Sequence, residues 1–404
     1  VLSVGVIFNL GLLGYFKYAG FMAEVVESLS GFELTMGDIV LPLAISFFTF
    51  QQIAFLVDVH RGVQTNRSFR SYLLFVTFFP QLIAGPIVHH REMMPQFSGA
   101  GSKIVDLSLF SEGLFLFSVG LFKKVIIADS LSPWVAAGFE NSENLALIDG
   151  WFLSLSYCFQ LYFDFSGYSD MAMGAALLLG IRLPWNFNSP YQALSIQDFW
   201  RRWHMTLSRF LRDYVYIPLG GNRVSENRVK WNLFLTFLLG GIWHGAGWTF
   251  IIWGALHGIA CVVHRAWSRD GRALPSFAAW GLTFVFVNVA WVFFRAEDPI
   301  VAMRVLGAMF GFEGISFPIK AVDKLPLLAG IGHAGEYFMA GINDKFLAMA
   351  WLGGIFWTAV FLPNTMTLTS KFSRQRRFLI LAVICFVTAF VHLDRLSEFL
   401  YFQF

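Results

Sequence analysis

Charged residues are scarce in this chain. Of 404 residues, 14% are Asp, Glu, Lys or Arg, against about 25% in soluble domains, and that shortage excludes an ordinary water-facing surface. Neither sign dominates: 29 Lys plus Arg oppose 26 Asp plus Glu, a formal net charge of +3. The basic residues fall in short clusters between apolar runs rather than on one stripe, so nucleic acid is excluded as a partner. Cysteine is equally thin. Cys158, Cys261 and Cys385 all lie in apolar segments without Cys-x-x-Cys spacing, and they read as small buried hydrophobes. No His-x-x-x-His or comparable ligand spacing occurs, and Asp164, Asp170, His204 and His244 are too far apart in sequence for a zinc set; no metal is expected. The chain opens at Val1 with no basic n-region or cleavage site, which predicts no signal peptide. It begins in the middle of an apolar segment without a methionine, which suggests missing native N-terminal sequence.

What the chain has in abundance is apolar surface. It is 56% hydrophobic, with 47 Phe and 14 Trp, and its mean hydropathy is +0.60. Runs of about 17 to 25 apolar residues recur, the length a bilayer asks of a spanning helix. The expected fold is all-α: one polytopic domain over residues 1–404, surrounded by membrane lipids, with about nine to eleven membrane helices, some of them re-entrant or broken.

Taken in order, Val1–Phe16 is apolar, with Lys17 and Tyr18 expected at a membrane interface. Ile39–Val57 carries Ser46, Thr49, Gln51 and Gln52 and should pack inside the bundle, where polar groups find partners. Pro80, Gly85 and Pro86 break the stretch Pro80–Phe97; its His89 and His90 read as interfacial. Leu107–Ile127 is a span, and Pro133–Asp149 reads as a polar loop. Leu147–Leu179 covers about 50 Å as a helix, as two helices or one kinked at Gly167 and Gly174. Ser195–Arg212 alternates as an amphipathic helix at the interface, with His204 leaning to its apolar side. Trp231–Gly241 and Trp248–Val263 flank glycines 240, 241, 245 and 247, which permit close helix approach. Phe277–Phe294, a short helix from Pro299 to Phe310, Phe346–Leu362 and Phe378–His392 complete the bundle. The longest non-spanning tract is Gly311–Lys345. The basic cluster Lys371, Arg374, Arg376 and Arg377 marks a cytoplasmic loop.

Two histidines stand apart. His204 and His244 each follow a tryptophan and have polar neighbours, and an ionisable group at membrane depth is a functional candidate by default. Broken helices with intramembrane polar groups also suit a transporter or flippase. The residues alone leave both classes open.

The motifs narrow the choice. FWRRWHMTLSRFLRDYVY (Phe199–Tyr216) and GGIWHG (Gly240–Gly245) resemble the two histidine-bearing signatures of the membrane-bound O-acyltransferase family. FPQLIAGPI (Phe79–Ile87), QLYFDFSGYSDMAMG (Gln160–Gly174), LPWNFNSPY (Leu183–Tyr191), YIPLGGNR (Tyr216–Arg223) and WVFFRA (Trp291–Ala296) are similar to its alginate-acetylating branch. The resemblance implies helices around a central funnel, with His244 as the invariant histidine and His204 as the second. It also implies an acetyl group that passes from cytoplasmic acetyl-CoA or another acyl thioester, with no bound cofactor, toward an exported polysaccharide. Alginate is the first choice, with peptidoglycan or another exopolymer as alternatives. A periplasmic acetyltransferase partner would complete the transfer, since no tract here is long enough to bind a polymer. The setting is a bacterial inner membrane.

On that reading His244 is the general base, because an acceptor hydroxyl needs a base poised near neutrality and histidine's ordinary pKa of about 6.5 supplies one. His204 orients donor or acceptor and shares proton handling. Trp243, Trp203, Trp200 and Asn188 shape the channel. Asp164 and Asp170 support it, by holding a histidine tautomer or pairing with an arginine. Arg201, Arg202, Arg212 and Arg223 are the candidates for donor contacts.

Overall fold

The computed structural model describes every residue except 33, 35, 36, 38, 64–67, 83, 84, 99–105, 318–326, 328–332, 335–341, 343, 373–375, 396–399 and 401–404. Among the described residues, nine helical units run for 16 residues or more. Three of them, Leu2–Ser30, Trp248–Arg269 and Ser276–Arg295, are long and apolar enough to cross a membrane by length and composition. Among the described residues, only a two-residue parallel pair, Ser316–Phe317 with His333–Ala334, departs from helix and loop. Most of the Gly311–Lys345 tract lies outside the described residues.

The hub is one continuous helix, Leu147–Leu178. Of its 32 residues, 24 are buried, so almost no face is left for lipid and the other elements pack around it. It runs through Gly167 and Gly174 without interruption. A Cβ on Gly167 would lie 2.7 Å from the Gly120 carbonyl oxygen, so this glycine serves contact with the neighbouring helix Leu107–Phe122. Two backbones can approach this closely only where no side chain intervenes.

The neighbouring helix runs on through a π turn, Lys123–Ala128, into the helix Asp129–Glu140. The polar loop expected from residue 133 is therefore helical up to Glu140. Pro133 lies inside this helix, at the cost of one backbone hydrogen bond. The π turn aims two successive lysines at the hub. Lys124 Nζ lies 2.8 Å from Asp129 Oδ1 and 2.6 Å from Asp164 Oδ1. Lys123 Nζ lies 2.6 Å from Asp170 Oδ2 and 2.5 Å from the Thr365 hydroxyl. Buried charges require such pairing.

The stretch after Phe69–Thr77 is broken as its prolines predict. A 3-10 turn, Phe79–Gln81, is followed by a buried, non-helical run, 85–88, before the helix His90–Ser98. Irregular backbone away from water needs side-chain partners: Gln81 Nε2 donates to Phe75 O at 2.8 Å, and the Thr206 hydroxyl accepts from Ile87 N at 3.0 Å. Ser195–Arg212 departs from expectation. It is two short helices, Ile196–Arg202 and Met205–Leu211, separated at Trp203 and His204 and followed by a π turn, Arg212–Tyr216. Trp203 and His204 are 3% and 0% exposed, so the break carries them into the core instead of along an interface.

Candidate active site

His244 is the last residue of the helix Glu226–His244; the chain restarts as a helix at Trp248. Glycine makes this hairpin possible. A Cβ on Gly241 would meet the Phe250 carbonyl oxygen at 2.4 Å, and one on Gly245 would lie 2.1 Å from the Phe250 ring. The turn presses the His244 ring edge-on among Trp243, Trp253 and Phe294, with centroids 4.9, 5.1 and 5.0 Å away.

The carbonyls at a helix C-terminus have no intrahelical partner. Here three of them are taken by the N-terminal helix. The Tyr18 hydroxyl donates to Ile242 O at 2.5 Å, and Lys17 Nζ donates to Trp243 O at 2.8 Å and His244 O at 2.7 Å. Both residues come from the end of a π turn, Gly14–Tyr18, after which the helix continues to Ser30. Lys17 is therefore no interfacial anchor. Its ammonium complements the negative end of the helix dipole and clamps the backbone that carries His244. Lys17→Met should lower turnover roughly tenfold to hundredfold, the worth of a hydrogen bond from a charged group, with KM little changed and Lys17→Arg retaining more. A fall in folded yield with normal turnover per molecule would assign Lys17 to stability alone.

His204 sits in the left-handed region, φ 40° and ψ 53°, an uncommon conformation for a side-chain-bearing residue that tends to occur at functional sites. Its Nδ1 lies 3.0 Å from Asn186 Oδ1. That same oxygen accepts from the Thr206 backbone N–H at 3.3 Å and from the Thr206 hydroxyl at 2.9 Å. A backbone N–H can only donate, so the Asn186 atom is the carbonyl oxygen and His204 Nδ1 must carry the proton. His204 Nε2 is then a free lone pair, buried and without a hydrogen-bond partner among the described residues. Asn186 was missed in the sequence. It stands in the LPWNFNSPY motif two residues before Asn188, whose own side chain accepts instead from Asn364 Nδ2 at 2.8 Å.

His257, fully buried, has the opposite tautomer. Trp200 Nε1–H donates to its Nδ1 at 3.1 Å, so Nε2 bears the proton. One aromatic cluster joins these groups. Trp253 lies 5.1 Å from His244, 4.7 Å from His257 and 5.8 Å from Trp291, and Trp291 lies 4.9 Å from Trp203. Trp203 continues through Phe187 at 5.0 Å and Phe165 at 5.0 Å to His204 at 4.7 Å. Asp164 and Asp170 are held by lysines, as described, and contact neither an arginine nor a histidine tautomer in the hydrogen bonds observed.

Beyond Trp200 opens a cavity of about 700 Å³, with Leu211 and Phe237 on its walls. Arg201, Arg209, Arg212, Arg265 and Arg269 line it. Arg209 is held by Glu92, Arg265 and Arg269 by Glu226. Asp213, hydrogen-bonded to Arg212 at 2.8 Å, raises that guanidinium's pKa further and keeps it charged. Two of the four expected arginines lie elsewhere: Arg202 pairs with Asp198 at 2.9 Å, and Arg223 is exposed on the neighbouring turn. Arg209, Arg265 and Arg269 were not singled out in the sequence, because nothing local distinguishes them from helix anchors.

Residues 63–296 match the membrane-bound O-acyltransferase family, MBOAT. A peptidoglycan O-acetyltransferase from Helicobacter pylori is 52% identical over 375 residues, 86% of this chain and 69% of that protein. A probable alginate O-acetylase from Azotobacter vinelandii is 46% identical over 319 residues, 77% of this chain and 63% of the relative. A teichoic acid D-alanyltransferase from Bacillus subtilis is 28% identical over 273 residues, covering 63% and 69%. The chain thus spans about two thirds of the length of these relatives.

Proposed function

The chain belongs to the membrane-bound O-acyltransferase family, and from that premise we propose that it transfers an acetyl group from a cytoplasmic acyl thioester toward a hydroxyl of an exported polysaccharide. The observation that carries the reading is the buried aromatic cluster that holds His204 with an unpaired Nε2 among the described residues and His244 on a clamped helix end, beside an arginine-lined cavity.

The roles follow from chemistry. The acceptor hydroxyl gives its proton to His244 as its oxygen attacks the thioester carbonyl carbon; the C–S bond breaks and the thiolate leaves, taking a proton in turn. His204 Nε2 accepts a hydrogen bond from donor or acceptor and orients it. Trp200, Trp203 and Trp243 exclude water, which would otherwise hydrolyse the thioester. The arginines of the cavity suit the phosphates of acetyl-CoA or of a phosphopantetheine carrier. Arg201 and Arg212 are the sequence candidates that line this cavity.

The sequence favours alginate as the acceptor. The higher identity and wider coverage of the peptidoglycan O-acetyltransferase put peptidoglycan ahead within the same class of exported glycan. Helices this rich in Phe and Leu suit the passage of a small acyl group better than that of a charged polymer, which supports a periplasmic partner that completes the transfer. A bacterial inner membrane suits a donor made in the cytoplasm and an acceptor outside it.

The deciding experiment supplies labelled acetyl-CoA to reconstituted protein, with crude envelope added in parallel to provide the partner. His244-dependent release of free thiol together with ester-bound label supports transfer. Intact labelled donor crossing the bilayer without thiol release would instead establish a transporter.

A further inference from the structure

A second cluster of histidines plays no part in the acyl-transfer reading. Asp58 lies near the end of the helix Ile45–His60, while His89 and His90 leave the buried irregular stretch and begin the helix His90–Ser98. One potential ligand atom from each of the three side chains lies within 4.8 Å of the other two. Asp58 is 1% exposed and His90 is 0% exposed.

These groups are poorly satisfied by one another. His90 Nε2 stands 3.5 Å from Asp58 Oδ2, too long for a good hydrogen bond. His90 Nδ1, His89 Nε2 and Asp58 Oδ1 have no hydrogen-bond partner among the described residues. Buried polar atoms are nearly always paired, and a group of unpaired ones calls for an ion or an ordered water. The surroundings favour the ion. Asp58 Oδ2 is already oriented by Arg91 at 2.8 Å and by the Tyr214 hydroxyl at 3.0 Å, the outer support that ligating carboxylates receive. Phe55 and Phe75 meet the His90 ring edge-on at 5.4 and 6.3 Å, which keeps the ring in place without offering it a hydrogen bond.

We propose that Asp58, His89 and His90 form a binding site for one borderline divalent transition cation, with Zn²⁺ as the best fit. Two imidazoles and a carboxylate are a ligand set that zinc accepts. Mg²⁺ and Ca²⁺ require more oxygen ligands than this cluster holds. Ligand atoms about 2.0–2.2 Å from a tetrahedral zinc lie about 3.3–3.6 Å apart, so side-chain atoms already within 4.8 Å of one another need close by little more than about 1 Å on binding. Arg91, half exposed, holds the outer side of the Asp58 carboxylate.

The site would act as a staple. It joins the helix Ile45–His60 to the broken segment, and through Tyr214, stacked on His89 at 5.5 Å, to the turn that follows the His204-bearing region. This proposal does not rest on the acyl-transfer assignment, and its test does not read activity.

Purified, tag-free full chain in detergent is stripped with a chelator, reloaded with Zn²⁺, and assayed for bound metal and thermal unfolding; Co²⁺ loading adds a visible absorption readout. The site predicts about one zinc per chain, a raised unfolding midpoint with Zn²⁺, and a low-coordinate Co²⁺ spectrum. The His89→Ala/His90→Ala double variant should lose all three. If that variant does not fold, His89→Gln provides the comparison, with reduced zinc occupancy and a changed Co²⁺ spectrum expected. Substoichiometric zinc on folded parent protein, or full zinc occupancy in whichever folded variant is measured, would overturn the proposal.

Discussion

Replacing His244 with alanine should reduce thiol release from acetyl-CoA by about 10²- to 10⁴-fold, the usual contribution of a positioned general base. The expectation rests on chemistry and on geometry. An alcohol attacks a thioester slowly unless its proton has somewhere to go, and His244 is the buried histidine whose backbone is held by Lys17 and whose ring is fixed among three aromatic rings. His244→Gln should lose turnover comparably while filling more of the space. Both variants should elute from size exclusion as the parent does, which separates loss of chemistry from loss of fold. Near-normal turnover in either folded variant would remove His244 from the reaction.

Lys124→Met should be the most destabilising single change. It strips the shared cation from Asp129 and Asp164 and leaves two carboxylates buried. Breaking a buried pair from one side costs about 3–5 kcal/mol, a large part of a typical protein's total stability. The extracted protein should aggregate or melt far below the parent, and adding Asp129→Asn and Asp164→Asn should restore part of the loss by removing the stranded charges. Turnover per folded molecule should stay near normal. Normal abundance and melting with turnover lost would move this network from scaffold to reaction.

Much of the architecture was legible along the chain. Hydropathy is a local property, so the helices Ile45–His60, Trp248–Arg269, Ser276–Arg295 and Pro299–Met309 and the proline-broken segment before His90 could be read, although the first starts at Ile45 instead of Ile39 and the second runs to Arg269 instead of Val263. His204 and His244 were legible too, because an ionisable residue beside tryptophan in an apolar stretch is conspicuous. The break at His204 was not. The apolar spacing of Ile196, Phe199, Trp203 and Leu207 is that of a helix, and only burial of Trp203 together with the Asn186 contact outweighs that local preference.

By itself, then, the sequence determined a helical membrane protein, the order of its main helices and the two tryptophan-flanked histidines as candidates, since each depends on residues close together in the chain. Tertiary structure alone decided which groups serve those histidines. Lys17 reaches the His244 carbonyl across 227 positions, Asn186 sets the tautomer of His204, and two lysines on a π turn neutralise the hub's aspartates. The physical reason is shared by all of them. Away from water, a polar atom must find its partner within the protein, and which partner comes within 3 Å is settled by how distant backbones pack, not by the residues beside it in sequence.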